Sequence, residues 1–381
     1  MTAPRHIDAY IDDIYTCVRS RCGFCMPGCP AFLARGFETY TSRGKCLIIK
    51  AMLEGTLLPS HEVAEALSCC TACGFCTTNC DVDRPVIFQA IRRDLREAGF
   101  GVAALERVCD AIRRYNSPYG PPGEGCYEEL LEQSDPSSPI LFYPGCTSTQ
   151  RERRLAHATA RILGRYAMLP QQLCCGSVAH KAGDTPLALE QGKALADALA
   201  PFETVVTACA GCYGMLAVTL PSLGVEVAPS IRHISQYLAE RMHRGELRLS
   251  QIGTGTVATY HDPCHLGRHA GEYEAPREVL AAMGFSIAEM ARKRERALCC
   301  GAGGGMKAAH GGTAAAIAAL RIREARATGA HILVTACPFC ERNLRDGAAE
   351  AGEDIPVVDL VELAAQALVG IRGPHPKENL K

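Results

Sequence analysis

Two stretches of the chain, LCCGSVAHKAGD (173–184) and LCCGAGGGMKAAH (298–310), each begin with adjacent cysteines followed by glycine. Adjacent cysteines pair poorly with each other, because a vicinal disulfide strains the backbone between them. Tetrahedral zinc sites usually draw on cysteines two to four residues apart. Each doublet belongs to a set of five: Cys146, Cys174, Cys175, Cys209 and Cys212 in one, Cys264, Cys299, Cys300, Cys337 and Cys340 in the other. Five thiolates exceed what one zinc ion or one cubane cluster needs. A cluster with an opened edge has a use for the fifth, and an adjacent pair can place two sulfurs so that one or both bridge irons. The glycine after each doublet is expected to remove a Cβ that would crowd such a cluster.

A second kind of cysteine pattern lies nearer the N-terminus. CVRSRCGFCMPGCP spaces Cys17, Cys22, Cys25 and Cys29 as C-x4-C-x2-C-x3-C-P, and CTACGFCTTNC spaces Cys70, Cys73, Cys76 and Cys80 as C-x2-C-x2-C-x3-C. In two-cluster ferredoxins, three cysteines of each run hold one cubane and the fourth crosses to the other. That rule assigns Cys17, Cys22, Cys25 and Cys80 to one 4Fe-4S cluster, and Cys29, Cys70, Cys73 and Cys76 to the other. The pattern departs from the rule in its first gap, x4 rather than x2, and in Asp81, which stands where a second proline is expected. Zinc knuckles, which also use C-x2-C, are the competing reading, and two consecutive quartets argue against them. Cys46, Cys69, Cys109 and Cys126 fall outside both patterns and are expected to be small buried hydrophobes.

Composition sets the context. The chain has 381 residues, 22 of them cysteine, a formal net charge of −1 and 48% hydrophobic residues. That is enough apolar content for two or three domains with real cores. The near-neutral charge gives no support for a nucleic-acid partner. MTAPRHIDAYIDDIY carries acidic and polar residues where a signal peptide needs an apolar run, and no segment approaches 18 consecutive apolar residues. Reduced, metal-bound cysteines in the cytoplasm are therefore expected rather than disulfides.

The elements that must position these cysteines follow from the surrounding pattern. Residues 1–100 form a helical block. Apolar residues at 47, 48, 52 and 53, then 63, 66 and 67, suit short helices broken at Pro59, and a further helix opens at Pro85 and closes at Gly99. Residues 101–138 hold YNSPYGPPGEG and EQSDPSSP and are expected to be a linker with at least two turns. The remainder is an internal repeat. PILFYPGC parallels TVATYHDPC, LCCG recurs, VVTACAGCYGML parallels LVTACPFCERNL, and VEVAPSIRHISQYLAE parallels IPVVDLVELAAQAL. The offset is about 120 residues, so two homologous units, 139–254 and 255–381, are expected to pack about a pseudo-twofold axis. Short β-rich runs ending at cysteines alternate with Ala-rich helices, which predicts a parallel α/β sheet in each half. The fold class is thus α+β multidomain: a helical two-cluster ferredoxin domain followed by two α/β units.

The pattern C…CCG…CxxC, present twice, resembles the CCG domain of heterodisulfide reductases, most closely in YHDPCHLGR (260–268) and LCCGAGGG (298–305). A ferredoxin block followed by two such units resembles the D subunits of those enzymes and the similar iron–sulfur subunits of bacterial redox complexes. The resemblance implies that each five-cysteine set ligates a noncubane 4Fe-4S cluster, beside two cubane clusters in the ferredoxin block. It implies a catalytic subunit that holds a small-molecule disulfide between the noncubane clusters and reduces it in two single-electron steps, each sulfur passing through an iron-bound state. It also implies an electron-donor partner, either a membrane cytochrome b-like subunit or a flavoprotein, and a cytoplasmic chain peripheral to the membrane through that partner. Relatives that oxidise glycolate or lactate share the layout but often lack part of the second cysteine set. All ten positions are filled here, which favours the disulfide-reducing branch. An electron-relay subunit of an FAD-linked 2-hydroxy-acid oxidase is the alternative, and a zinc-bound structural protein a third class.

Other residues carry weaker signals. GAGGG lacks the G-x-G-x-x-G spacing, since position 306 is Met, and follows cysteines rather than a strand, which argues against a dinucleotide site. His261, His265, Lys307 and His310 stand near the second set, where they would supply protons to leaving thiolates or attract an anionic substrate. Equally, His261 would be a satisfied strand-end residue and Lys307 a helix cap. RRDLRE (92–97) and RKRERA (292–297) are expected to be solvated faces able to dock an acidic partner.

Overall fold

The computed structural model describes residues 5–121 and 125–371. The N-terminal block is helical, as its periodicity predicts. Helices Ser42–Leu53 and His61–Ser68 begin at side-chain caps: Thr41 Oγ1 accepts from Gly44 N at 2.8 Å and Ser60 Oγ from Val63 N at 3.3 Å. Pro85 sits in the first turn of the helix Arg84–Glu97. The cysteines of this block fall mainly in the irregular segments between helices, where backbone amides are not committed to a helical ladder.

Residues 101–138, expected to be a linker, are largely helical instead. They carry helices Ala103–Tyr115 and Cys126–Glu132. The first has buried Leu105, Cys109 and Ile112 on one face and charge on the other, an amphipathic pattern that the neighbouring Pro/Gly-rich turns obscure. Residues 122–124 of that Pro/Gly run lie outside the described residues.

The two repeats fold alike. In the first, β1 (Ile140–Phe142), β2 (Thr204–Thr207) and β3 (Ser230–His233) form a parallel sheet in that order, extended beyond β1 by a parallel bridge between Leu141 and Ala167. β4 (Leu247–Leu249) closes the first half. In the second, β5 (Val257–Tyr260), β6 (Ser286–Ile287), β7 (Ile332–Thr335) and β8 (Val357–Asp359) form a parallel sheet ordered β6-β5-β7-β8. In both halves the first element lies between the second and the third, so each sheet has a point where the chain switches direction. Ligands in such sheets gather at the carboxyl ends of the strands beside that point. β9 (Leu368–Ile371) returns to pair antiparallel with β4, tying the end of the second half to the end of the first. The strands are rich in β-branched residues and mostly buried, as parallel strands covered on both faces must be.

Candidate metal centre

The five cysteines of each half collect at the carboxyl ends of the two central strands. β2 runs into Cys209 at the start of helix Ala210–Gly214, with Cys212 in its first turn. β7 runs into Cys337 and the helix Pro338–Ala351, with Cys340 in the same place. Hydrogen bonding to neighbouring thiols, together with burial, pushes Cys212, Cys337 and Cys340 up, whereas a hydrogen bond from Cys212 holds Cys209 down. Cys146 follows β1 and Cys264 follows β5. Gly145 adopts φ +72°, and a Cβ there would stand 2.9 Å from Cys212 Sγ, so only glycine lets the first cysteine close on the CxxC turn.

Both doublets lie in irregular loops and share one local geometry. Gly176 N donates to Cys174 Sγ at 3.4 Å, and Gly301 N donates to Cys299 Sγ at the same distance. The glycine serves a different purpose from the one expected. Gly176 (φ +78°) and Gly301 (φ +93°) would carry a Cβ 2.7 Å from Ala188 O and 2.6 Å from Ala314 O, respectively. The crowding is against the next helix, on the side of the protein, and the second cysteine of each doublet, Cys175 or Cys300, is the one that lines the cavity. In the second half Asn343 Nδ2 fastens the loop by donating to Cys300 O at 2.6 Å and Ala314 O at 3.0 Å.

The two sets open onto one cavity of about 380 Å³, walled by Cys146, Cys175, Cys209 and Cys212 from the first half and Cys264, Cys300, Cys337 and Cys340 from the second. Cys209 and Cys337 lie within hydrogen-bonding range of each other across the boundary. Within each set the thiols share protons. A hydrogen bond from Cys174 holds Cys175 down while Cys174 is pushed up, and Cys300 and Cys299 repeat the arrangement. Burial pushes the Cys146 thiol up to about 12. A buried site cannot carry several thiolates without positive charge among them. A multi-iron centre supplies that charge, so the donor set fits a cluster in each half.

The rim of the cavity is cationic. Lys181, Lys307, Arg151 and Arg342 line it together with His265 and Tyr119, and no carboxylate does among the described residues. Lys181 Nζ donates to Ser177 Oγ at 2.7 Å. Lys307 pairs with Asp346 and donates to Asn343 Oδ1 at 2.7 Å. The motifs along the chain do not single out Lys181, Arg151 or Arg342. A signal exists for Lys181: a lysine follows each CCG within seven residues, in CCGSVAHK and in CCGAGGGMK.

The remaining candidates separate. His265 Nδ1 lies 3.4 Å from Cys264 Sγ and its Nε2 has no partner. His261 is fully buried. Its Nδ1 accepts from Arg321 at 3.1 Å, its Nε2 has no hydrogen-bond partner, and one of its ring nitrogens falls in the same cluster of potential ligand atoms as the sulfurs of Cys300 and Cys340. His310 faces away from the cavity, 2.6 Å from Ser68 Oγ in the ferredoxin block.

In the ferredoxin block, Cys29 is brought to Cys69, Cys70, Cys73 and Cys76 around one small recess, a set that contains the four cysteines crossed ligation requires and adds Cys69. Burial there pushes Cys29 up to about 12. Cys17 and Cys80 both stand in hydrogen-bonding range of the buried Arg84 guanidinium, with Cys22 and Cys25 in its field. A hydrogen bond from Cys46 holds Cys17 down at about 6, so Cys46 is a neighbour of that cysteine group rather than a detached core residue. Cys69 packs with Ala31, Met306, Ala314 and Ile317. Cys109 and Cys126 are buried core residues.

The block meets the second half directly. A hydrogen bond from Cys299 holds Cys73 down at about 5. Arg268 Nε donates to Cys73 O at 2.8 Å, and its Nη1 to Ala297 O at 2.6 Å. A Cβ at Gly303 would stand 2.8 Å from Thr71 O, and one at Gly304 would strike Cys70 O. GAGGG is therefore a seam that lets one cysteine loop lie against another. Arg92, expected on a solvated face, is buried and donates to Leu67, Ser68 and Cys70 of the block and to Lys181 and Gly304 of the two halves.

Comparison with known proteins agrees with this geometry. The 4Fe-4S dicluster domain model matches residues 13–83, and the cysteine-rich CCG domain model matches 140–217 and 258–345. The D subunit of dihydromethanophenazine:CoB--CoM heterodisulfide reductase from Methanosarcina mazei is 34% identical, covering 92% of this chain and 93% of that protein. The B subunit of fumarate reductase (CoM/CoB) from Methanothermobacter marburgensis is 29% identical over 80% of this chain and 62% of its own. EtfAB:quinone oxidoreductase from Syntrophomonas wolfei is 25% identical over 93% of this chain and 58% of its own. Among the described residues no helix is long and apolar enough to cross a membrane. With its ferredoxin quartets, its paired CCG units and this similarity along nearly its whole length, the chain is an iron–sulfur oxidoreductase belonging to the family of heterodisulfide reductase D subunits.

Proposed function

We propose that the chain is the catalytic subunit of a thiol–disulfide oxidoreductase complex, acting on a small disulfide that carries anionic groups. The observation that supports this most is the single cavity lined by four cysteines of each set under a cationic rim. In this reading Cys17, Cys22, Cys25 and Cys80 hold one cubane and Cys29, Cys70, Cys73 and Cys76 the other, while the two sets of five hold noncubane clusters. When bound, these clusters would carry single electrons and take up the sulfurs of the opened disulfide. The chain's own part is positional. Lys181, Arg151 and Arg342 would draw the anionic ends of the substrate to the rim and hold the disulfide between the two sets. His265 stands beside Cys264 at the cavity wall, and burial holds its imidazole well below the ordinary range, so it would meet the substrate as a neutral hydrogen-bond partner rather than as a proton donor. The Cys73–Cys299 contact makes the second set, not the first, the neighbour of the ferredoxin block.

The test is anaerobic purification followed by EPR during titration with candidate thiols. A new paramagnetic signal that saturates with an anionic thiol, and not with a neutral analogue, supports the reading. The absence of any thiol-dependent signal counts against it. A relay role for a partner flavoprotein is the second reading. It is favoured by the EtfAB:quinone oxidoreductase, which is similar over 93% of this chain while its name carries no disulfide. Fully loaded protein that reduces no disulfide with an artificial donor would decide for the relay.

A further inference from the structure

Cys22 is the one exposed cysteine of the 22. It opens into a surface groove of about 740 Å³ whose walls come from distant parts of the chain, Phe24 and Pro27 on one side and Arg292 and Arg296 on the other. Arg292 Nη1 donates to Pro27 O at 3.3 Å, joining the two walls, and shares its charge with Glu324. Phe24 is 64% exposed, unusual for an aromatic residue with no ring partner among the described residues. The nearby cations are mostly unneutralised. Arg296 and Lys293 are exposed and have no ion-pair partner among the described residues, whereas Arg294 pairs with Glu274. Arg19 and Arg21, both exposed, precede Cys22 within three positions. The carboxylates in the same segments are Glu295 and Asp81. An apolar centre inside a charged rim is the anatomy of a protein-docking surface, and the sign of the rim selects the partner's charge.

Electron transfer falls steeply with distance, so a carrier must dock over the most accessible ligand. We propose that this groove docks an acidic electron-carrier protein over Cys22, with Phe24 as the apolar anchor and Arg296 and Lys293, unpaired among the described residues, as the steering rim. The inference rests on the reading of Cys22 as a cluster ligand. One electron leaves the carrier, which is oxidised, and enters the chain, which is reduced; no bond or proton changes hands.

The experiment uses the full, cluster-loaded chain and oxidised flavodoxin, an acidic FMN protein, as the probe, with the dissociation constant measured by sedimentation at two ionic strengths. Binding that weakens about tenfold at the higher salt is expected, since exposed rim charges are screened. Lys293→Glu combined with Arg296→Glu should weaken binding at low salt by about tenfold or more, while Arg296→Lys keeps it. Salt-independent binding, no binding by the wild type, or unchanged affinity in the charge-reversed pair each overturns the surface. Iron analysis of Cys22→Ser tests the underlying reading separately. Loss of iron supports Cys22 as a ligand, and a full iron complement removes that ligand and the docking rationale with it.

Discussion

At the scale of the residue, the proposed function places the chemistry of the cavity on the doubled cysteines. Serine oxygen is a harder and poorer bridge between irons than thiolate. Cys300→Ser is therefore expected to abolish disulfide reduction while the ferredoxin cubanes still accept electrons from an artificial donor. Cys175→Ser should do the same, because two one-electron centres must act on one disulfide and either alone stalls the reaction. Steady-state disulfide reduction, compared with the EPR signals of the reduced cubanes, separates the two effects. Cys109→Ser, in the core beside Arg96 and Asp184, is the control and should be nearly silent. Wild-type turnover in both doublet variants would take the active site away from these cysteines and leave the relay role.

At the scale of the element, a strand ending at a cysteine, a left-handed glycine and a following helix together aim the thiols. Gly301 occupies a backbone conformation that side chains rarely adopt, and an added Cβ would meet Ala314 O at 2.6 Å. Gly301→Ala should push the loop off the helix and turn the Cys299–Cys300 pair away from Cys264 and Cys340. The expected outcome is loss of about four irons per chain, with the ferredoxin signals intact. Retention of full iron would mean that the loop tolerates the shift and that the glycine is dispensable.

At the scale of the whole molecule, three units are held in register by buried polar contacts across their seams. Arg92 satisfies five carbonyls from both sides of the interface. Arg92→Met leaves those acceptors without their donor in a dry site, which should cost about 2–5 kcal/mol. It should also loosen the approach of Cys73 to Cys299. Lower thermal stability together with slower reduction of the cavity-side centres is expected, and an unchanged melting temperature would contradict the lock. Fully reconstituted protein should hold about 16 irons per chain, from four clusters of four. A plateau at about eight would leave the two halves without clusters, and equimolar zinc would end the iron–sulfur reading.

The candidate ligands and the repeat are written in the chain itself. Ligand spacing is local: Cys209 and Cys212 lie one helical turn apart whatever surrounds them, and the quartets of the ferredoxin block declare their chemistry in the same way. Strand periodicity and repeated strings likewise foretell two parallel sheets. The helices within 101–138 are legible in principle, since Leu105, Cys109 and Ile112 share a face, but the adjacent Pro/Gly turns mask them. Other features arise only when the chain packs. Arg92 sits in an Arg-rich string that reads as solvated, yet it is buried, because its carbonyl partners come from residues 22 to 212 positions away. Lys181, Arg151 and Arg342 form one cationic rim only once the halves close, and the glycines of GAGGG acquire a purpose only when Cys70 and Thr71 press against them. Such features depend on contacts between segments distant in the chain, and local spacing carries no record of which distant segment will arrive.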